Sequence, residues 1–249
     1  MVTLKDSVRI AAVGDLHYGR DSRGSLQPLL AAVTRLEADI LCLLGDLTDY
    51  GHAEEATELA RELVSGVNIP IVGVLGNHDY ESGEANEVRR ILTEAGVKLL
   101  DGETAEIHGI GFAGVKGFAG GFGRGVLGPW GEEAVKRFVQ EAVEEALKLE
   151  SALARLRTAT RVALLHYAPI AGTVEGEPRE IYPYLGCSRL EEPLVRYSVD
   201  AVFHGHAHHG QAEGRTASGT PVYNVSLPLL LAAMPDQPVR ILDLALAPA

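Results

Sequence analysis

Short apolar runs that end at a glycine followed by a carboxylate or amide constrain this chain most. AAV precedes Gly14-Asp15, LCLL precedes Gly45-Asp46, and VGVL precedes Gly76-Asn77. Runs of this kind are typical of strands buried on both faces, and the amphipathic stretches between them are typical of crossover helices. The pattern therefore predicts a layered α/β fold in which many strands are parallel.

The predicted elements alternate along most of the chain. Strands are expected at residues 8–13, 40–44, 69–75, 97–100, 110–115, 161–165, 201–203, 222–225 and 239–246. Helices are expected at residues 26–36, 53–64, 84–95, 132–157 and 189–197. Neither an internal repeat nor a long linker divides them, so we expect a single domain over residues 1–249.

Composition and charge exclude several classes of protein. The formal net charge of −12 opposes attraction to a phosphate backbone, so nucleic acid is not an expected partner. The apolar fraction of 46% suits a globular protein, and no apolar run approaches the roughly 18 residues of a membrane-spanning helix. The opening MVTLKDSVRIAAVGD lacks the pattern of a signal peptide, and two cysteines form no disulfide framework. We expect a cytoplasmic protein with no membrane partner.

Two stretches interrupt the alternation and predict insertions at about 112–157 and 168–188. The first begins with a glycine- and phenylalanine-rich segment, and the second contains prolines and tyrosines without a clear period. Residues 112–130 form either a mobile lid, with Lys116 and Arg124 as phosphate contacts, or a flexible surface loop. The Gly-x-Gly-x-x-Gly matches here lack the strand, turn and helix succession of a dinucleotide site, so we reject that interpretation.

Apolar residues at spacings of three and four mark one face of the predicted helix 132–157. They are Val135, Phe138, Ala142, Ala146, Leu149, Leu153 and Leu156. Docking onto the domain's own core is the favoured interpretation of this face, and an oligomer interface is the alternative.

Five polar runs follow predicted strands and contain the candidate chemistry. They are Asp15-Leu16-His17, Asp46-Leu47-Thr48-Asp49, Asn77-His78-Asp79, His166 alone, and His206-Ala207-His208. In open α/β sheets ligands bind outside the carboxyl ends of the strands, so the five runs are expected to meet at one edge. Residues i and i+2 of extended backbone point the same way, so Asp15 with His17 can form one converging pair. The remaining histidines, His52, His108, His204 and His209, are interpreted as structural.

The donors at this edge favour two metal ions. Two aspartates, one asparagine and four histidines exceed the needs of a single tetrahedral ion, which favours two ions sharing a carboxylate. The set is Asp15, His17, Asp46, Asn77, His166, His206 and His208. Mixed imidazole and carboxylate ligands suit Mn, Fe or Zn better than Mg or Ca.

The ordered pattern Asp-x-His, Gly-Asp-x-x-Asp, Gly-Asn-His-Asp, His and Gly-His-x-His resembles the calcineurin-like metallophosphoesterases from Gly14 to His208. The resemblance implies a four-layer α/β/β/α sandwich with two facing mixed sheets flanked by helices, whereas the strand pattern alone suggests one sheet. It also implies that one metal is held by Asp15, His17, Asp46 and His208, and the other by Asn77, His166 and His206 with Asp46 bridging.

The resemblance further implies in-line attack on phosphorus by a hydroxide that bridges the metals. His78 corresponds to the catalytic histidine of the family, which protonates the leaving oxygen, and Asp49 would orient its imidazole. Arg20 is a further candidate for contact with phosphate.

Among branches of that family the chain looks most like the bacterial phosphodiesterases and small-molecule phosphatases. It has Tyr50 where the related protein phosphatases have an arginine, and Asp49 where purple acid phosphatases have a tyrosine ligand. We expect hydrolysis of a small phosphoester, with a diester slightly favoured. The alternatives are a monoesterase acting on a metabolite or phosphoprotein, a nuclease, and a non-catalytic protein-binding scaffold.

Overall fold

The computed structural model describes residues 6–246 of the chain. Its strands in chain order are β1 (Ser7–Val13), β2 (Ile40–Leu44), β3 (Ile71–Val74), β4 (Val97–Leu99), β5 (Thr104–Ile107), β6 (Ile110–Gly114), β7 (Thr160–Leu164), β8 (Ala201–His204), β9 (Glu213–Arg215), β10 (Pro221–Asn224) and β11 (Arg240–Ala245). Its α-helices are α1 (Gln27–Arg35), α2 (Ala53–Gly66), α3 (Ala85–Glu94), α4 (Glu133–Arg155), α5 (Tyr182–Leu185), α6 (Glu191–Arg196) and α7 (Leu227–Ala233).

The strands form two sheets. The first has the order β11-β1-β2-β3-β4, in which only β11 runs antiparallel to its neighbour. The second has the order β5-β6-β7-β8-β10-β9, with a parallel centre and antiparallel edge strands β5 and β9. Both sheets are therefore mixed, and the prediction of two facing mixed sheets is confirmed at this level.

The two sheets pack face to face. Alternate residues of β7 belong to different apolar clusters: Val162 and Leu164 join the core that contains β1–β3, whereas Ala163 joins the cluster that contains Leu149 and Leu153 of α4. Because strand side chains alternate between faces, one face of the second sheet contacts the first sheet and the other contacts α4. Right-handed crossovers between parallel strands place α1–α3 on the outer face of the first sheet. The four-layer sandwich is confirmed, and the single sheet suggested by the strand pattern alone is wrong.

Four short elements were not expected from the sequence, namely strands β5 and β9 and helices α5 and α7. Strands β5 and β9 lie at sheet edges, where half their residues or more reach solvent, so they lack the apolar runs that mark the central strands. Helix α7 is instead apolar on all sides, with the sequence LPLLLAA, although only Leu230 is buried. Uniform apolarity gives no helical period, and the helix is therefore hard to recognise.

Helix α4 docks onto its own domain. Leu149 and Leu153 of the predicted apolar face pack in the cluster that contains Ala163 of β7 and Leu194 of α6, and Ala142 is buried as well. The favoured interpretation of the predicted helix 132–157 is therefore confirmed for these positions. An oligomer interface on the remaining surface of α4 stays a prediction.

The first half of the predicted lid is packed against the domain. Residues 115, 117 and 119–121 are buried, and the amide of Gly117 donates to Glu145 Oε2 at 2.7 Å. Lys116 Nζ donates to the carbonyl of Gly117 and lies 4.9 Å from the centre of the Phe118 ring. Arg124 is exposed. Movement of residues 112–130 as a lid stays a prediction, as do phosphate contacts by Lys116 and Arg124.

Among the helices of residues 6–246, none combines the length and the apolar character needed to cross a membrane. Both cysteines, Cys42 and Cys187, are buried and free.

The packing of α4 gives a matched test of the core. Leu149→Ala should lower the free energy of unfolding by about 2–5 kcal/mol, because it removes a fully buried side chain from the cluster under the second sheet. Leu147→Ala, two residues earlier in the same helix and 56% exposed, should change it by less than about 0.5 kcal/mol. Urea unfolding of the two variants measures the difference. Equal effects would contradict the packing of α4 described above.

Candidate metal centre

The five polar runs meet at one edge of the sandwich. Those that follow β1, β2 and β3 come from the first sheet, and those that follow β7 and β8 come from the second. Ligand atoms of Asp15, Asp46, His166 and His206 lie within 4.8 Å of one another, and so do those of Asp15, His17 and His208. The predicted convergence of these residues is therefore present in the structure.

The backbone at the site is bent and not extended. Asp15, His17, Asp46 and His206 have positive φ angles of 56°, 43°, 46° and 71°. The left-handed region costs a non-glycine residue roughly 1–3 kcal/mol, and such residues cluster at functional sites. The expected extended backbone at Asp15 and His17 is thus wrong, because sharp left-handed bends direct these side chains toward the site.

Glycines in the motifs allow ligands from neighbouring runs to approach. A Cβ atom on Gly76 would lie 2.1 Å from Asp46 Oδ1, and one on Gly205 would lie 2.3 Å from Asp15 Oδ2. Neither glycine has a positive φ. Their role is therefore to leave space for a carboxylate and for main-chain atoms of other runs, namely the Asp46 amide nitrogen at Gly76 and the Leu44 carbonyl at Gly205, and not to allow an unusual backbone angle.

One half of the site surrounds His166. Its Nδ1 donates to the carbonyl of Leu44 at 2.9 Å, which leaves Nε2 directed toward oxygen atoms only. Asn77 Oδ1 lies 2.9 Å and Asp46 Oδ1 lies 3.3 Å from this nitrogen. Three groups with lone pairs thus converge on one point, which needs a proton or a metal ion between them.

The other half surrounds His17 and His208. His208 Nε2 lies 3.1 Å from Asp15 Oδ1, and His17 Nε2 lies 3.9 Å from Asp46 Oδ2. Although His17 Nε2 is buried, it has no hydrogen-bond partner among the described residues. A buried imidazole nitrogen that lacks a hydrogen-bond partner and lies near two carboxylates is typical of a metal ligand.

Protonation of the cluster follows from burial and charge. Burial alone would lower the pKa of His166, but the adjacent Asp46 carboxylate outweighs it and raises the pKa to about 9. Burial, together with the charge of His166, lowers the pKa of His206 to about 4. His166 thus holds a proton in a position that a metal ion can take, and His206 is neutral as ligation requires.

His206 is oriented by a backbone carbonyl of helix α5. Its Nε2 donates to the carbonyl of Tyr184 at 3.1 Å, so Nδ1 carries the lone pair that can bind a metal. The Tyr167 ring packs on the His206 ring with centroids 4.5 Å apart. The contact from Tyr184 involves a backbone carbonyl, and the sequence carries no signal for it.

His78 lies beside the donor cluster, not within its two halves. Its ring centre is 4.5 Å from that of His17, and its amide donates to Asp46 Oδ1 at 2.8 Å. His78 Nδ1 donates to the main-chain carbonyl of Asp49 at 2.7 Å. Sequence reasoning expected Asp49 to orient this ring. The structure brings the two residues together, but through the carbonyl, while the Asp49 carboxylate lies 3.5 Å from His17 Nδ1.

Asp79, to which sequence reasoning assigned no role, supports the loops that carry the candidate ligands. It is fully buried and accepts hydrogen bonds from the amides of Thr48 and Gly76, both at 2.8 Å, and from the Thr48 hydroxyl at 2.6 Å. Burial raises its pKa. Asp79 therefore joins the loops after β2 and β3 that carry Asp46 and Asn77. Its place as the last residue of Gly-Asn-His-Asp was the available signal.

The histidines interpreted as structural include one clear example. His204 is fully buried, its Nε2 lies 2.8 Å from Thr173 Oγ1, and burial lowers its pKa to about 4. It belongs to the core of the second sheet.

Comparison with known proteins identifies a family for this fold and site. The sequence model of the family described as calcineurin-like phosphoesterase matches residues 8–210. A Danio rerio protein named as a transmembrane protein with metallophosphoesterase domain is 27% identical over 106 residues, which are 41% of this chain and 24% of that protein. The chain thus matches about a quarter of the length of this curated relative.

Two solved structures share the fold. Phosphopantetheinyl hydrolase from Mycobacterium tuberculosis superposes with a TM-score of 0.68 at 14% identity, covering 95% of this chain and 96% of that one. A Staphylococcus aureus protein named as a 5′-nucleotidase, solved with α-ketoglutarate, gives a TM-score of 0.54 at 18% identity, covering 88% and 48%. At these identities the likeness concerns the fold.

The close approach at Gly76 predicts that one methyl group disrupts metal binding. In the native protein, Mn²⁺ at about 100 times its Kd should stabilise the fold by about 2.7 kcal/mol, because the ion binds the folded state alone. That corresponds to a rise in Tm of roughly 5–10 °C for a chain of this size. Gly76→Ala should lose most of this rise, because its Cβ displaces the Asp46 carboxylate.

Gly125→Ala is the control, since a Cβ at Gly125 has open space around it and its φ is not positive. Scanning calorimetry with and without Mn²⁺ measures both variants. A full Mn²⁺-dependent rise in Gly76→Ala would contradict the role assigned to this glycine.

Proposed function

Because the chain belongs to the calcineurin-like phosphoesterase family, we propose that it is a metal-dependent phosphoric ester hydrolase that uses two metal ions. The observation that carries the proposal is the position of the Asp46 carboxylate, which has one oxygen beside His166 and the other beside His17. A carboxylate placed in this way can bridge two ions.

The donor set divides between two ions as follows. Asp15, His17 and His208 would hold one, whereas Asn77, His166 and His206 would hold the other, with Asp46 shared. Imidazole, amide and carboxylate ligands together suit Mn, Fe or Zn. Such a pair supplies, when bound, a water of lowered pKa as nucleophile and positive charge for the phosphoryl oxygens.

His78 is proposed as the general acid. Its Nδ1–H is held by the Asp49 carbonyl, which fixes the ring and leaves Nε2 as the atom that transfers a proton. Its amide is also bonded to Asp46, so the acid and the shared carboxylate keep a fixed separation. In this role His78 would donate a proton, beside the metal centre, to the oxygen that departs from phosphorus.

The proposed substrate is a small phosphoester, with a diester slightly favoured over a monoester. Structural neighbours whose names refer to a phosphopantetheinyl hydrolase and a 5′-nucleotidase support substrates of this size. The net charge of −12 opposes nuclease activity on long nucleic acids. The complete donor set, with His78 in place, opposes a non-catalytic scaffold.

The test is hydrolysis of bis-p-nitrophenyl phosphate beside p-nitrophenyl phosphate, after chelation and after addition of Mn²⁺. We expect both activities to be lost on chelation, and turnover of the diester to return with Mn²⁺. Preference for the monoester would overturn the diester assignment and keep the metal-dependent hydrolase. Absence of turnover together with absence of bound metal would overturn the function.

His78→Asn should lower kcat by about 10²–10⁴-fold, because a general acid contributes on this scale. Metal content should not change, since the His78 ring is not assigned as a ligand. The measurement is kcat together with metal content after gel filtration, using a phosphodiester with a poor leaving group.

His108→Asn is the matched control, because His108 is an exposed turn residue with a φ of 51° that asparagine accepts. Unchanged kcat in this variant is expected. Full activity in His78→Asn on poor leaving groups would show that the acid is another residue.

A further inference from the structure

A cavity of about 540 Å³ opens beside the metal centre. Its lining is His17, Gly19, Arg20, Asp21, Ser22, Asp49, Tyr50, His52 and Glu55. Ligand cavities in proteins commonly measure about 300–1,000 Å³, so this one can enclose a substantial part of a small substrate. Only His17 among its lining residues is an assigned metal ligand, so most of its wall serves something other than the metals.

The cavity lies on the side of the site where His78 is held. His78 Nδ1 donates to the carbonyl of Asp49, and the His78 ring contacts that of His17. Both of those residues line the cavity. A group that receives its proton from His78 therefore departs next to this space, an assignment that rests on the proposed function.

Two side chains in the wall offer a ligand a positive charge and an aromatic ring. Arg20 is the only lysine or arginine in the lining, and its side chain is 75% exposed with one ion pair at 3.6 Å to the equally exposed Glu54. A pair of this kind contributes little, so an anion can compete for the guanidinium. The Tyr50 side chain is 53% exposed and offers a ring face.

The carboxylates of the wall are largely occupied by the protein. Glu55 is buried and accepts the amides of Tyr50 at 3.0 Å and His52 at 3.2 Å, which also fixes Tyr50 in place. The Asp49 carboxylate lies 3.5 Å from His17 Nδ1. Asp21 is exposed and can accept hydrogen bonds from hydroxyl groups.

The loop that contains Arg20 is held in place by hydrogen bonds to Glu62 of α2. Glu62 of α2 is buried, and its Oε1 accepts the Tyr18 hydroxyl at 2.7 Å and the amide of Gly24. The amide of Gly19 donates to Ser22 Oγ at 3.0 Å. These bonds hold both ends of the segment, so the cavity wall is a built surface and Arg20 has a defined place in it.

From these observations we propose that the cavity binds the leaving group of the substrate and selects one that carries a planar ring and a second anionic group, as a nucleotide does. Arg20 binds the anion, the Tyr50 ring stacks on the planar group, and Asp21 accepts from sugar hydroxyls. The reacting phosphorus stays at the metal centre, and the cavity binds the part of the substrate beyond it.

The test uses adenosine 5′-monophosphate and adenosine as probes on the Mn²⁺-loaded protein. Calorimetry measures the Kd of each probe, and comparison with Arg20→Gln separates binding at Arg20 from binding of the monophosphate to the metal centre. The native protein should bind the monophosphate about tenfold or more tightly than adenosine, since a charge-assisted bond to Arg20 has about this effect. Arg20→Gln should remove that difference. Tyr50→Leu should weaken both probes by about tenfold through lost stacking.

Each variant has a control of the same type. Arg23→Gln changes an arginine of the same loop that is 77% exposed, pairs with Glu58 and does not line the cavity. Tyr197→Leu changes another tyrosine, which follows α6 and lies outside the cavity. Both controls should keep native Kd values. Equal weakening in Arg20→Gln and Arg23→Gln, or equal affinity of the native protein for the two probes, would overturn the proposal.

The assignment to the leaving group has its own readout. The monophosphate should inhibit hydrolysis of bis-p-nitrophenyl phosphate competitively, with an inhibition constant raised by Arg20→Gln and unchanged by Arg23→Gln. Binding that depends on Arg20 without any hydrolysis would support the cavity and overturn the proposed function. Hydrolysis without any effect of Arg20 would overturn the cavity and leave the proposed function intact.

Discussion

The rest of the site depends on the contacts of the Asp46 carboxylate. Asp46 is 1% exposed, and its two oxygens lie beside the imidazoles of His166 and His17, which come from different parts of the chain. A buried carboxylate is unstable unless donors or cations compensate its charge. Here the amide of His78 supplies a donor and the His166 ring supplies a cation. His166 follows a strand of the second sheet, whereas Asp46 follows a strand of the first. The ion pair between Asp46 and His166 therefore links the two sheets at this edge.

The same constraint explains the unusual backbone. Residues that reach a common point from different strands must turn sharply, and four of the donors do so with positive φ angles. Hydrogen bonds compensate this strain: the amide of His17 donates to the carbonyl of Asp46, and that of Asp15 to the carbonyl of Gly45, both at 2.9 Å. Asp79 adds a buried anchor beneath the loops. The site is thus a rigid shape within a well-packed sandwich, as preorganised metal sites require.

Much of this arrangement could be predicted because strand ends and side-chain chemistry are local properties of the sequence. Apolar runs located β1, β2 and β7 closely, and the polar residues shortly after each run identified the donors. The pairing of strands is not local, since a run such as VALL does not state which sheet it joins. The exposed edge strands β5 and β9 have no apolar signal. The hydrogen bonds to the carbonyls of Asp49 and Tyr184 could not be predicted either, because every residue has a main-chain carbonyl and the sequence does not distinguish one from another.

Crystallography can test whether two metal ions share Asp46. Crystals grown with Mn²⁺ and measured at the manganese absorption edge are suited to this, because anomalous scattering locates each ion without assumptions about activity. We expect two peaks, one on each side of the Asp46 carboxylate, the first among His17, His208 and Asp15 and the second among Asn77, His166 and His206. A single peak, or two peaks that do not share Asp46, would contradict this expectation.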